Sequence, residues 1–239
     1  MISRLALVAM SLLVAFGALA ATTNELSDAE IAGRKLVQQI LELRPTENLT
    51  NTGVLKIRPK KQKQTEIPVT FKVVVTPTNW SSVYDAGMSW VTIIHADATA
   101  DEYRFHAENG KEVNLSGDQT MFPFAGSDFW IADLGLEFFH WPQQKILKKE
   151  FRSNCGCNVL ESVNPNPSAN GYSRVVSWID EESNGIVHAE AYDAQNKKLK
   201  EFDPKEFKKV NGQWQLQEME IRNVQTRSRT RIEFHLESH

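Results

Sequence analysis

The amino-acid sequence predicts a mainly β (α+β) fold: one N-terminal helix covering a strongly curved antiparallel sheet or open barrel. Three observations carry this. A helical period is confined to residues 24–44, short runs with period-2 alternation fill the chain from residue 54 onward, and Asn-Gly pairs punctuate those runs. Short strands separated by regular turns are the signature of antiparallel sandwiches and barrels. A chain of 239 residues is long enough to bury a sizeable core as one domain.

The helix has a defined start. Ser27 and Glu30 have the spacing of a capping box, which satisfies two orphan N–H groups reciprocally. Ile31, Val37, Ile40 and Leu41 fall mostly on one helical face, with Arg34, Lys35, Gln38 and Glu42 elsewhere, so the helix should pack on the sheet. Arg44-Pro45 ends it, because the residue before proline is pushed out of the α region.

The strands follow. Val54–Arg58 is bounded by Gly53 and Pro59, and Val69, Phe71, Val73 and Val75 alternate with Thr70, Lys72, Val74 and Thr76, the mark of a strand with one buried face. Residues 90–94 and 101–105 come next, before a turn at Asn109-Gly110. Later strands are expected at 145–152, 157–163, 172–179, 186–192, 198–202, 205–210, 213–221 and 226–236. The turns between them include Asn170-Gly171, Asn184-Gly185 and Asn211-Gly212, residue pairs that tolerate positive φ. Residues 121–142 break the rhythm with Phe122, Phe124, Phe129, Trp130, Phe138, Phe139 and Trp141 set among glycines and prolines. Too apolar for a solvated loop, this segment should lie over the core or across a cavity mouth.

The N-terminus reads as an export signal. Arg4, an apolar run over residues 5–16 and the small residues Gly17–Ala21 have the layout of a secretory leader cleaved after Ala20. The apolar run is shorter than the roughly 20 residues of a membrane span. Residues 21–239 are then expected as one soluble, exported domain. The net charge of −3 lacks the basic field a nucleic-acid partner requires.

Catalytic and metal signatures are scarce, and neither an enzyme activity nor a cofactor is expected. Gly126-Ser127-Asp128 lacks the nucleophile-elbow spacing. Asp128, Asp133 and Glu137 have the side-chain oxygens to cap short turns. The six histidines show no HExxH-type ligand spacing. Cys155 and Cys157 would pair as a strained disulfide in an oxidising compartment or remain two thiols on one strand face. Arg227, Arg229 and Arg231 alternate with Thr226, Ser228 and Thr230, which puts all three on one face of the last strand. There they would meet phosphate head groups or an acidic partner, or keep an edge strand soluble.

The block Pro123-Phe124-Ala125-Gly126-Ser127-Asp128-Phe129 with Asp133-Leu134 resembles a motif of the LolA-like outer-membrane lipoprotein-sorting protein family. Cys157-Asn158-Val159-Leu160-Glu161 is similar to that family's C-x-V-L-E strand. Tyr172, Trp178-Ile179-Asp180, Glu190-Ala191-Tyr192-Asp193, Lys200, Trp214 and Asn223 with Thr226 and Thr230 then follow in the family's order. The resemblance spans about residues 120–236. It implies an unclosed antiparallel β-barrel around an apolar cavity that binds lipoprotein acyl chains or other lipids, with inner-membrane release and outer-membrane acceptor proteins as partners. On that reading Phe71, Val73, Val75, Trp90 and Ile93 line the cavity, and Phe122, Phe124, Phe129 and Trp130 form a lid. A second reading, from another class, is a periplasmic sensor or regulatory module using the same fold to bind a lipoprotein or membrane partner.

Overall fold

The computed structural model describes residues 25–96, 100–106, 110–210 and 212–236; the leader expected over residues 1–20 lies outside them. Helix α1 (Asp28–Leu41) precedes six strands: β1 (Leu49–Arg58), β2 (Thr65–Val75), β3 (Asn79–Asp85), β4 (Trp90–Ala96), β5 (Glu102–His106) and β6 (Glu112–Leu115). A connection over residues 116–142 holds the one-turn helix α2 (Ile131–Leu134) among short 3₁₀ turns. Seven strands follow: β7 (Gln143–Arg152), β8 (Cys155–Val163), β9 (Arg174–Asp180), β10 (Ile186–Tyr192), β11 (Lys198–Val210), β12 (Gln213–Asn223) and β13 (Ser228–Phe234).

All thirteen strands form one sheet, in the order β6-β5-β4-β3-β2-β1-β13-β12-β11-β10-β9-β8-β7. The fold is therefore two antiparallel meanders joined where β1 pairs with β13. Close approach at this seam requires glycine: a Cβ on Gly53 would stand 2.3 Å from the Glu233 carbonyl oxygen. The two edge strands, β6 and β7, are consecutive in sequence. The 116–142 connection must therefore run from one edge of the unclosed sheet to the other, and it does so through the interior.

That path explains the aromatic residues of the connection. Phe124, Phe129, Ile131, Ala132, Phe138 and Phe139 are all buried. Phe124, Phe129 and Ile131 belong to the main core with Leu55, Val91, Ile93, Ile221 and Ile232 of the sheet. Phe138, Phe139 and Trp141 join a second core with Leu36 and Val37 of α1. Backbone groups in such a segment need partners, and Gln144 supplies two of them, its Nε2 donating to the carbonyls of Phe138 (2.9 Å) and Trp141 (2.8 Å).

The predicted capping box at α1 is formed, with the Ser27 N–H donating to Glu30 Oε2 at 2.8 Å. The buried stripe differs from the sequence expectation: Gly33, Leu36 and Val37 are buried, while Ile31 is exposed. The cause is backbone contact, since a Cβ on Gly33 would stand 2.7 Å from the backbone of Gln144 and Lys145 in β7. The segments 198–202 and 205–210 form a single strand across Pro204. The β10 ladder ends at the Ala189–Phe202 pair, while Pro204 lies opposite Met219 of β12 beside a register shift in that ladder, the kind of irregular position where a strand accommodates proline.

Candidate functional site

Between α1, the 116–142 connection and the concave face of the sheet lies a cavity of about 920 Å³. Its apolar walls include Val37 and Ile40 of α1, Phe129, Leu134, Phe139 and Trp141 of the connection, and Phe202 and Met219 of the sheet. Leu41, Leu43 and Phe207 also line it, though each is about half exposed (43 %, 54 % and 53 %). These three form an apolar rim.

Asp133 fixes the floor. Its Oδ2 accepts from the Trp130 backbone N–H (2.7 Å), which caps α2, and from Lys200 Nζ (3.2 Å), while Oδ1 accepts from the Tyr172 hydroxyl (2.8 Å). Lys200 is almost wholly buried, with Nζ 3.6 Å from the centre of the Trp130 ring. Burial brings its pKa down to about 8 against the opposing pull of Asp133. Asp128 makes a second anchor, accepting from Ser228 Oγ (2.5 Å) and Thr230 Oγ1 (2.9 Å). Both carboxylates thus bind the connection to the sheet; Asp133 also caps the turn at α2, whereas Asp128 bonds to β13 instead of capping a turn.

One end of the cavity is polar. His95, Asp101 and His140 line it. Asp101 Oδ2 lies 2.7 Å from His95 Nδ1 and 3.4 Å from His140 Nε2. His95 is held by stacking on Trp80, with ring centroids 3.8 Å apart, and by Ser82 Oγ at 3.1 Å from its Nε2. Burial would raise the Asp101 pKa, but hydrogen bonding to the two histidines outweighs it and holds the carboxyl below its usual range. Burial lifts the neighbouring Glu137 carboxyl upward. Ser82, His95 and Asp101 have the connectivity of a hydrolytic triad, yet Ser82 is buried and is not among the residues lining the cavity.

Of the residues expected to line or cover a cavity, Phe129 and no other lies on this one. Phe71, Ile93, Phe122 and Phe124 pack in the main core, Phe71 against Tyr84 and Phe122 against Phe105. Val73 is buried, Val75 is partly buried, and Trp90 stacks on His106. Trp130 stacks on Tyr172. His95, Asp101, His140 and the rim residues went unnoticed in the sequence because nothing in the local pattern links them. Among the described residues no His, Cys, Asp or Glu cluster could hold a metal ion.

Cys155 and Cys157 are free thiols with Sγ atoms 3.6 Å apart, the open alternative to the expected disulfide. Burial, with Cys157 beside it, pushes the Cys155 thiol up to about 12, which suppresses the reactive thiolate at neutral pH. The arginine expectation needs correcting. β13 begins at Ser228, and Arg227 sits in the preceding turn with φ 61°, so only Arg229 and Arg231 share a strand face. Arg231 is paired to Glu220 (2.6 Å) and Glu218 (3.0 Å).

An unclosed antiparallel sheet, an N-terminal helix on its edge and an interior connection together define a LolA-like fold. The chain is similar to a domain from Vibrio parahaemolyticus assigned to outer membrane lipoprotein sorting (18 % identity, TM-score 0.70, covering 87 % of this chain and 92 % of that one). It is also similar to a DUF1329 family protein from Desulfovibrio piger (16 % identity, TM-score 0.68, covering 87 % and 92 %). A LolA superfamily protein from Nitrosomonas europaea is similar at 12 % identity and a TM-score of 0.57, covering 88 % and 93 %. A family model described only as "Uncharacterized protein"-like matches residues 81–237, more than half of the chain, and the protein belongs to that family. No curated protein sequence matches it.

Proposed function

We propose that this protein is a periplasmic carrier for acyl chains of lipoproteins or other lipids, acting in outer-membrane lipoprotein sorting. On this reading residues 21–239 work as one soluble domain after removal of the leader. Inner-membrane release and outer-membrane acceptor proteins load and unload it. The observation that carries the proposal is the cavity of about 920 Å³ with its apolar rim. Its size falls within the range of small-molecule sites, roughly 300–1,000 Å³. Leu41, Leu43 and Phe207 line it while leaving apolar surface exposed, and an acyl chain seated against them would complete the burial. Each methylene moved from water into the cavity contributes about 0.8 kcal/mol, so a 12-carbon chain gains about 9 kcal/mol before association costs. No helix among the described residues is long and apolar enough to cross a membrane.

Native mass spectrometry of the protein from its own periplasm, followed by solvent extraction, should find lipid or acylated peptide at near-unit stoichiometry. Leu41→Asp, at an exposed rim position, should weaken uptake of a fluorescent acyl probe by at least tenfold while the fold persists. An apo mass with no uptake of added fatty acid or lipopeptide would sink the carrier reading.

A further inference from the structure

The β11–β12 hairpin outruns its neighbours in the sheet. β11 pairs with β10 only from Lys198 to Phe202, and β12 pairs with β13 only from Glu218 to Asn223. Beyond those limits the two strands continue as an arm of their own, with Phe207 opposite Leu216, Lys208 opposite Gln215 and Lys209 opposite Trp214. Alternate pairs share a face. One face is braced: Val210 is buried in the main core with Leu236, and Lys208 Nζ donates to the Leu236 carbonyl at 2.6 Å. The other face carries Phe207, Leu216, Lys209 and Trp214. Phe207 and Leu216 line the cavity, whereas Trp214 is 70 % exposed and Lys209 is exposed as well. An apolar strip thus leads from the cavity wall toward the end of the arm, where it finishes in an uncovered indole beside an ammonium.

We propose that this arm docks the protein on an anionic phospholipid bilayer, with Trp214 and Phe207 set among the head groups and Lys209 against lipid phosphate. That docking serves the passage of an acyl chain to the cavity rests on the carrier reading above; the contact itself does not. The side chains favour a bilayer over a protein partner. Aromatic residues settle at the membrane–water boundary, and a lysine beside them keeps its stem in the apolar layer while its ammonium reaches the phosphates. Lysine is instead depleted from protein interfaces, which bury roughly 800 Å² on each partner, far more than these few side chains present. Charge is arranged to suit. Glu206 and Glu218 face each other at the sheet end of the arm, while Lys208 and Lys209 lie toward its tip. The net charge of −3 does not oppose the contact, because salt screens charges beyond about 8 Å and leaves the lysines nearest the surface to decide.

Sedimentation of the mature protein, purified after export, with protein-free vesicles measures the contact; uptake of a fluorescent acyl probe without vesicles measures the cavity separately. The wild type should bind vesicles of equimolar phosphatidylglycerol and phosphatidylcholine, and bind those of phosphatidylcholine alone more weakly. Trp214→Ala should lower binding about tenfold or more, while Trp214→Phe, which keeps an aromatic ring, should stay within about threefold of the wild type. Lys209→Gln should cost about fivefold on the mixed vesicles and nothing on phosphatidylcholine alone. All three variants should keep the wild-type circular dichroism and probe uptake. Undiminished binding by Trp214→Ala would overturn the arm as the docking site. Failure of the wild type to bind mixed vesicles would overturn it too, even where a protein of the membrane captures the arm, and probe uptake would then leave the carrier reading standing. Vesicle binding without probe uptake would overturn the carrier reading and leave the docking arm. The wild-type comparison decides the matter even if a variant fails to fold.

Discussion

Asp133→Ala is expected to lower the unfolding free energy by about 3–5 kcal/mol, the range for removing one partner of a buried ion pair. The substitution deletes three hydrogen bonds at once, from the Trp130 N–H, the Tyr172 hydroxyl and Lys200 Nζ. It also leaves the buried Lys200 ammonium facing aromatic rings without its anion, a desolvated charge that cation–π contact at about 2 kcal/mol does not offset. A urea titration measures the loss. If the pair is the cause, Asp133→Ala combined with Lys200→Met should be less destabilised than the sum of the two single variants, by 1 kcal/mol or more. Strict additivity would show that Asp133 acts through the Trp130 N–H and the Tyr172 hydroxyl and not through Lys200.

The same pair leaves a pH signature whose sign follows from Lys200. Its folded pKa of about 8 lies below the ordinary lysine value of about 10.4. Between those values the unfolded chain binds more protons than the folded one, so this group makes stability rise with pH. The slope approaches about 1.4 kcal/mol per pH unit midway. Cys155, pushed up to about 12, works in the opposite direction over the same interval. The difference between wild type and Lys200→Met cancels the thiol. That difference should move in favour of the wild type from pH 8 to 9.5, and a flat difference would mean that Lys200 titrates normally.

Much of this fold is written in local pattern. The Ser27–Glu30 capping box, the alternation in β2 and the Asn184-Gly185 turn between β9 and β10, with Asn184 at φ 57°, announce helix, strand and hairpin because each depends on neighbours in sequence; Asn109 and Asn211 of two other expected turns lie outside the described residues. β3 escaped notice: Trp80, Ser82 and Tyr84 alternate, but two of the intervening residues are serine and valine rather than a clear polar set. Of the lining expected from strand alternation, Phe71 and Ile93 face inward and pack in the main core, whereas Trp90, three residues before Ile93 in the same strand, lies on the opposite face. The inward face is filled by the connection, whose Phe124 and Phe129 pack in the same core. The cavity lies instead where α1, β4, the connection and the β11–β12 pair converge. Its walls come from distant parts of the chain, and no periodicity encodes such a meeting. Lys200 and Asp133 were visible as members of an ordered motif, whereas their contact was not.

Gly33→Ala tests whether that convergence depends on the helix seat. On an exposed helix the change would stabilise the chain by about 1 kcal/mol, because alanine has the higher helix propensity. Here the added methyl would stand 2.7 Å from the Gln144 carbonyl and the Lys145 nitrogen. These are backbone atoms of an edge strand and cannot swing aside as a side chain would. Overpacking of this kind costs about 1–3 kcal/mol and outweighs the propensity gain, so thermal denaturation should show a lower midpoint. Displacing α1 from β7 also moves Val37, Ile40 and Leu41, which wall the cavity. Acyl-probe affinity should therefore fall together with stability. A raised midpoint with unchanged affinity would show that α1 can slide along β7 and that the cavity wall tolerates the movement.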